Sequence, residues 1–245
     1  MVINILSNRS EWTFYFSKVF NLILQSTKEL NMKIGLIQAS SQKEKNKTLE
    51  HYLNEAINPN DKLINFGIYP DSKIQLSYVQ ISLAIALLIN SKSLNFIVTG
   101  CSSGQGMMLA CNTFPNIQCG YLPTPQDAFL FSHINNGNVV SFPLGLNWGW
   151  SGEINFSETM KALFKQPWGT GYPPSQATRK VKNTTEVKEL NQLNKKSMIS
   201  ILPSVDPDLL IPVLKYEPVY DFIIKNDTNH ELVDLIQKLK QDYFN

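Results

Sequence analysis

The sequence predicts an α/β fold: a three-layer sandwich with a five-stranded, parallel, Rossmann-like sheet, helices on both faces and a C-terminal helical extension. Three observations carry that expectation. Short apolar runs recur from Lys33 to Leu144, each followed by a segment of helical spacing, through five cycles. With 245 residues, 43% hydrophobic and 17% charged, the chain can bury one such domain with appendages. The turn after the third run, "GCSSGQG", is built of small residues, as a sharp strand-to-helix turn requires.

The elements follow in order. "KIGLIQA" (33–39) reads as a buried strand and "SQKEKNKTLEHYLNEAI" as a helix with Leu49, Tyr52, Leu53 and Ala56 on one face. "KLINFGI" (62–68) is the second strand. "LSYVQISLAIALLIN" (76–90) is a helix apolar nearly all round, which predicts burial on two sides. "NFIVTG" and "GQGMMLACNTF" are the third strand and its helix, and "IQCGYL" (117–122) is the fourth strand. Thr124 is placed to cap the next helix, with Pro125 at its first position. "NVVSFPL" (138–144) is the fifth strand, followed by a helix around 157–164. From Lys165 onward a Gly/Pro-rich, basic arm, "KQPWGTGYPPSQATRKVKN", leads to a polar helix and two further helical pieces.

Three units are expected. Residues 1–31 form an apolar extension, read as a docking helix or as the product of an upstream start. Residues 32–165 form the α/β domain. Residues 166–245 form an arm and helices packed on that domain or on a partner subunit. A net charge of +2 excludes the basic footprint of a nucleic-acid binder. No apolar run approaches the ~20 residues of a membrane span. The three cysteines, Cys101, Cys111 and Cys119, form no C-x-x-C pair, so neither a zinc site nor another metal site is expected. The absence of a signal-peptide pattern points to the cytoplasm. Arginine is scarce: only Arg9 and Arg179 occur.

In parallel sheets, ligands bind beyond the carboxyl ends of the strands, so the Cys101 turn is the first place to look. Its backbone N–H groups, over Ser102, Ser103, Gly104, Gln105 and Gly106, are placed to hold an anion. It is not a Walker loop, because Met107 and Met108 stand where Lys and Ser/Thr belong. Nor is it a dinucleotide fingerprint, because Leu109 follows where a small residue belongs. A thiolate at a helix N-terminus is stabilised. Beside an anion hole it can attack an acyl group, or it can remove a proton next to a carbonyl while the amides hold the enediolate. The plain alternative is a buried cysteine that ends a strand.

"CSSGQGMMLACNTFPNIQCG" and "HINNGNVVSFPLG" resemble the Cys-loop and His-Asn-Asp segments of the ribose-5-phosphate isomerase B and galactose-6-phosphate isomerase subunit family. "QASSQKEKN", "VTGCSSGQG" and "GTGYPPS" resemble the corresponding segments of a divergent sugar-phosphate isomerase branch. The likeness runs from about Met32 to the end. It implies interconversion of an aldose phosphate and a ketose phosphate without a cofactor. It also implies a homodimer or homotetramer with shared active sites. Cys101 then takes the place of the base, and Ser103 that of a proton-relaying hydroxyl. The amides of Ser102 to Gly106 form the enediolate hole, and Asn135 meets substrate hydroxyls. Asn112 matches the asparagine of the loop helix and is read as a structural hydrogen-bonder.

The departures from the family pattern matter as much. The Asp-His after the first strand is Ala39-Ser40 here, with Ser41 and Gln42 as replacement polar contacts. The ring-opening His aligns with Ile134, and His133 lies one residue earlier, a turn of ~100° on a helix. Of the phosphate-gripping arginines only Arg179 remains, beside Lys180 and Lys182. The expected function is therefore aldose–ketose isomerisation of a sugar phosphate through a cis-enediolate. The alternative is a non-catalytic sugar-phosphate binder or an inactive partner subunit of a hetero-oligomeric isomerase. A cysteine hydrolase would need a positioned His, and His51, His133 and His230 are the only histidines.

Overall fold

A computed structural model describes residues 31–146, 148–165, 167–226 and 228–244. The extension expected over 1–31 falls, apart from Asn31, outside them. Five strands, β1 (Lys33–Gln38), β2 (Lys62–Asn65), β3 (Phe96–Cys101), β4 (Cys119–Tyr121) and β5 (Val139–Pro143), form one sheet in the order β2-β1-β3-β5-β4. All pairings are parallel. Parallel strands need crossover helices, which cover both faces and demand strands apolar on both sides. Accordingly every residue of β3 and β5 is buried.

One face is covered by α1 (Asn46–Ala56), α4 (Pro125–Leu130) and α5 (Gly152–Phe164). Its core joins Leu36, Val98 and Phe142 of the sheet to Leu49, Phe156 and Phe164 of the helices. The other face carries α2 (Tyr78–Asn90) and the short α3 (Gln105–Cys111). Ser77 caps α2 in a reciprocal box: its hydroxyl accepts from Gln80 N–H at 3.2 Å, and Gln80 Oε1 accepts from Ser77 N–H at 2.8 Å.

All ten residues from Ile81 to Asn90 are buried, so α2 is covered on its outer side too. The cover comes from the same chain. After α6 (Ala177–Asn194), the helices α7 (Met198–Ile201), α8 (Pro207–Leu214), α9 (Glu217–Asn226) and α10 (His230–Phe244) follow, and α7 to α10 share the α2 core. Tyr216, between α8 and α9, fastens this layer by donating its hydroxyl to Phe66 C=O at 2.6 Å. The chain from Met32 onward is one compact unit.

Two local differences from the sequence reading affect the site. Helix α6 starts at Ala177, inside the stretch expected to form the Gly/Pro-rich arm; a 3-10 turn, Pro174–Gln176, leads into it, and no Gly or Pro follows within the helix to break it. The helix after β4 is regular for only six residues, then widens into a π-helical turn, Phe131–Asn135, closed by left-handed Asn136 (φ 46°). A π turn absorbs an extra residue. It lies where His133 is out of step by one.

Among the described residues no single helix is long and apolar enough to cross a membrane.

Candidate active site

Cys101 is the last residue of β3 and pairs with Pro143 of β5. The residue is 8% exposed. The chain then leaves the sheet through Ser102, Ser103 and Gly104. Gly104 has φ +74°, and a Cβ there would lie 2.8 Å from the Tyr121 ring and 2.9 Å from Pro143 N. Only glycine satisfies both the left-handed backbone and that packing.

The loop carbonyls are tied back to the β5 side. Leu144 N–H donates to Cys101 C=O at 2.9 Å, Gly145 N–H to Ser102 C=O at 2.8 Å, and buried Ser141 Oγ to Gly104 C=O at 2.6 Å. The first bond of α3 is Met108 N–H to Gly104 C=O. The N–H groups from Ser102 to Gly106 therefore find no acceptor among the described residues. With only seven residues in α3, these individual amides matter more than any helix dipole.

A cleft of about 700 Å³ opens over this loop. Cys101, Ser102, Ser103 and Gly106 form one wall, and Ser40 and Ser41 form another. Ser77 and Tyr78, from the start of α2, close a third side. The lining holds no carboxylate, histidine or cationic side chain: its titratable groups are Cys101 and the Tyr78 phenol.

Ser40 already has partners, since its hydroxyl donates to Leu76 C=O at 3.0 Å and accepts from Leu76 N–H at 2.6 Å. It braces the cleft wall. Gln42 is buried just behind and donates to Ser102 Oγ at 2.8 Å, while its Oε1 accepts from Lys45 Nζ at 2.8 Å. The Lys45 ammonium also lies 5.4 Å from the Trp148 ring centroid, and partial burial lowers its pKa. Sequence reasoning missed Lys45. Its position three residues after Gln42 in a helical turn, bringing the two side chains onto one face, was the available signal.

The remaining expected residues lie elsewhere. His133 is buried, stacked on Phe129 with ring centroids 4.1 Å apart, and its Nδ1 lies 2.9 Å from Phe129 C=O. Asn135 lines a second, broader cleft of about 890 Å³, between β4 at the sheet edge and α6, together with Lys180 and Lys195. Asn112 closes the α3–β4 connection, exchanging hydrogen bonds of 2.8 and 2.9 Å with the Cys119 backbone. Arg179, near the start of α6, donates to Gln176. Gln105 is exposed at the first position of α3. Within one chain, then, the Cys101 cleft gathers the loop and first-turn residues, while Asn135, His133 and Arg179 stand apart from it.

Cys111 and Cys119 are buried, and burial with the neighbouring Cys111 thiol pushes Cys119 well up. No group of three or more His, Cys, Asp or Glu side chains suited to a metal occurs among the described residues.

A family model described as Ribose/Galactose Isomerase matches residues 34–183. A crystal structure of a 4-deoxy-L-threo-5-hexosulose-uronate ketol-isomerase complexed with a tartrate is 35% identical, with a TM-score of 0.81 over 86% of this chain and 100% of that one. A ribose-5-phosphate isomerase from Vibrio parahaemolyticus is 30% identical, with a TM-score of 0.81 over 85% of this chain and 99% of that one. A type B ribose 5-phosphate isomerase from Trypanosoma cruzi, 16% identical over 68% of this chain and 100% of that one, shares the fold with a TM-score of 0.57. No curated protein matches the sequence.

Proposed function

Because this chain belongs to the ribose/galactose isomerase family, we propose that it is an aldose–ketose isomerase in which Cys101 carries the proton. The observation behind this reading is the cleft lining. Cys101 is its one thiol, and it sits beside backbone N–H groups that find no acceptor among the described residues. The Cys101 thiolate takes the proton from C2 of the open-chain aldose. The electron pair moves onto the carbonyl oxygen, giving a cis-enediolate held by the loop amides. Cys101 returns the proton to C1, and Ser103 or a water moves the hydroxyl proton between O1 and O2. No external oxidant or reductant is consumed.

The substrate class is proposed as a sugar phosphate of the ribose-5-phosphate or galactose-6-phosphate type. Asn135 and Arg179 would meet its hydroxyls and phosphate. As they stand apart from Cys101 in one chain, a second copy would bring them to the site, making a homodimer or homotetramer with shared sites the working arrangement. One observation favours a second reading: a 35% identical relative is named as a uronate ketol-isomerase. On that reading the anionic end of the substrate is a carboxylate and the proton chemistry is unchanged.

Cys101→Ala tests the core of the proposal. Its expected effect is a loss of more than ~100-fold in kcat with little change in substrate binding, because the thiol is needed only as the proton moves. Turnover close to wild type in that variant contradicts the proposal.

A further inference from the structure

The two serines of the Cys101 loop hold their hydroxyls differently. Both line the cleft, and Ser102 is the more exposed. Ser103 makes no side-chain hydrogen bond among the described residues, so its hydroxyl is free to turn and can donate or accept. Ser102 is held: its Oγ accepts from Gln42 Nε2 at 2.8 Å.

The direction of that bond is set from behind. A lysine ammonium can only donate. Lys45 Nζ lies 2.8 Å from one end of the Gln42 carboxamide, so that end is the carbonyl oxygen. The other end, facing Ser102, is then the amide nitrogen, which also only donates. The Ser102 oxygen is therefore the acceptor, and its own proton has to find a different partner. Among the described residues it finds none. Burial of Gln42 and the contact of Lys45 with the Trp148 ring hold the pair in place.

A hydroxyll with one lone pair filled and its proton unspent is a preset hydrogen-bond donor. We propose that Ser102 donates to the enediolate oxygen, alongside the loop amides, and that Gln42 and Lys45 are positioning residues that fix its direction. This rests on the aldose–ketose reading above. The proton stays on Ser102, and no covalent bond is made or broken by it. The ammonium at the far end polarises the chain toward the developing negative charge, so the bond strengthens as the enediolate forms. The two serines then divide the work: Ser102 only donates, whereas Ser103 can both take and give a proton.

The test uses the intact chain and solvent deuterium exchange into ribose 5-phosphate, galactose 6-phosphate and galacturonate, with kcat and KM measured on each compound that exchanges. Ser102→Ala is expected to lower kcat about 100-fold, the loss of one donor to a developing oxyanion, with KM nearly unchanged. Gln42→Glu discriminates further. It keeps the shape and the Lys45 contact, but a carboxylate only accepts, so it turns the Ser102 proton inward. It should lose as much kcat as Ser102→Ala, and the double variant should lose no more than either alone. Lys45→Met frees the amide to flip and should cost about tenfold in kcat, and Lys45→Arg, a donor-only cation that can stack on Trp148, should recover most of it. Wild-type kcat in Ser102→Ala or Gln42→Glu, losses that multiply in the double variant, or a rise in KM in place of the fall in kcat each overturn the inference and leave the Cys101 reading standing. No exchange by wild type with all three compounds removes that reading, and the inference with it.

Discussion

Helices α2 and α6 make opposite use of their surfaces. Ten consecutive residues of α2 are buried, whereas none of the eighteen in α6 is. From sequence, α2 is the helix that asks for a partner, since it is apolar nearly all round. The structure supplies that cover from α7, α8 and α9 of the same chain, so the composition of α2 says nothing about a second subunit. Helix α6 is polar on average, yet it exposes Val187, Leu190 and Leu193 beside the cleft that holds Asn135. A helix can be finished or unfinished irrespective of how apolar it is; what its neighbours leave open decides.

This contrast can be broken at either helix. The largest effect is expected at α6. If Asn135 and Arg179 serve the Cys101 cleft of a second copy, Cys101→Ala and Asn135→Ala are each nearly inactive for different reasons. Mixing and reassorting equal amounts of the two should then restore about a quarter of wild-type activity, because half the pairs are mixed and each mixed pair holds one intact site. No recovery on mixing, with reassortment confirmed by mass, would show that the sites are not shared.

A smaller effect is expected at the α2 cover. Burial pushes the Tyr216 phenol up to about 12. The folded chain therefore keeps a proton that the unfolded chain loses near pH 10. Its contribution to stability is complete below pH 10 and is lost as the pH rises from 10 toward 12. Tyr216→Phe removes the hydrogen bond to Phe66 C=O and should lower stability by about 1 kcal/mol at pH 8. It should also flatten the decline between pH 10 and 12, as followed by urea unfolding. An unchanged alkaline slope would mean that another group carries it.

The legibility of the fold and of the site differs for physical reasons. Five apolar runs and their helices could be read because parallel strands buried on both faces leave a strong local pattern, as in β3 and β5. The order β2-β1-β3-β5-β4 leaves no such local trace. The Cys101 loop was legible because Gly104 must adopt φ +74° against Tyr121 and Pro143. Lys45 was not, because its role depends on buried Gln42 standing between it and Ser102. The separation of Asn135 and Arg179 from Cys101 was also invisible, since a motif carries spacing along the chain but not which end of the sheet it reaches. His133 looked like a displaced catalytic group, and the π turn instead seats it against Phe129.

Everything proposed for the reaction depends on Cys101 moving a carbon-bound proton. The most direct measurement is solvent deuterium incorporation at C1 and C2 across a panel of pentose phosphates, hexose phosphates and hexuronates, run side by side with wild type and Cys101→Ala. Wild type should incorporate deuterium into at least one member, and Cys101→Ala should bind the same compound while exchange falls by more than ~100-fold. Binding without exchange in wild type would instead mark a non-catalytic binder, and equal exchange in both proteins would remove Cys101 from the chemistry.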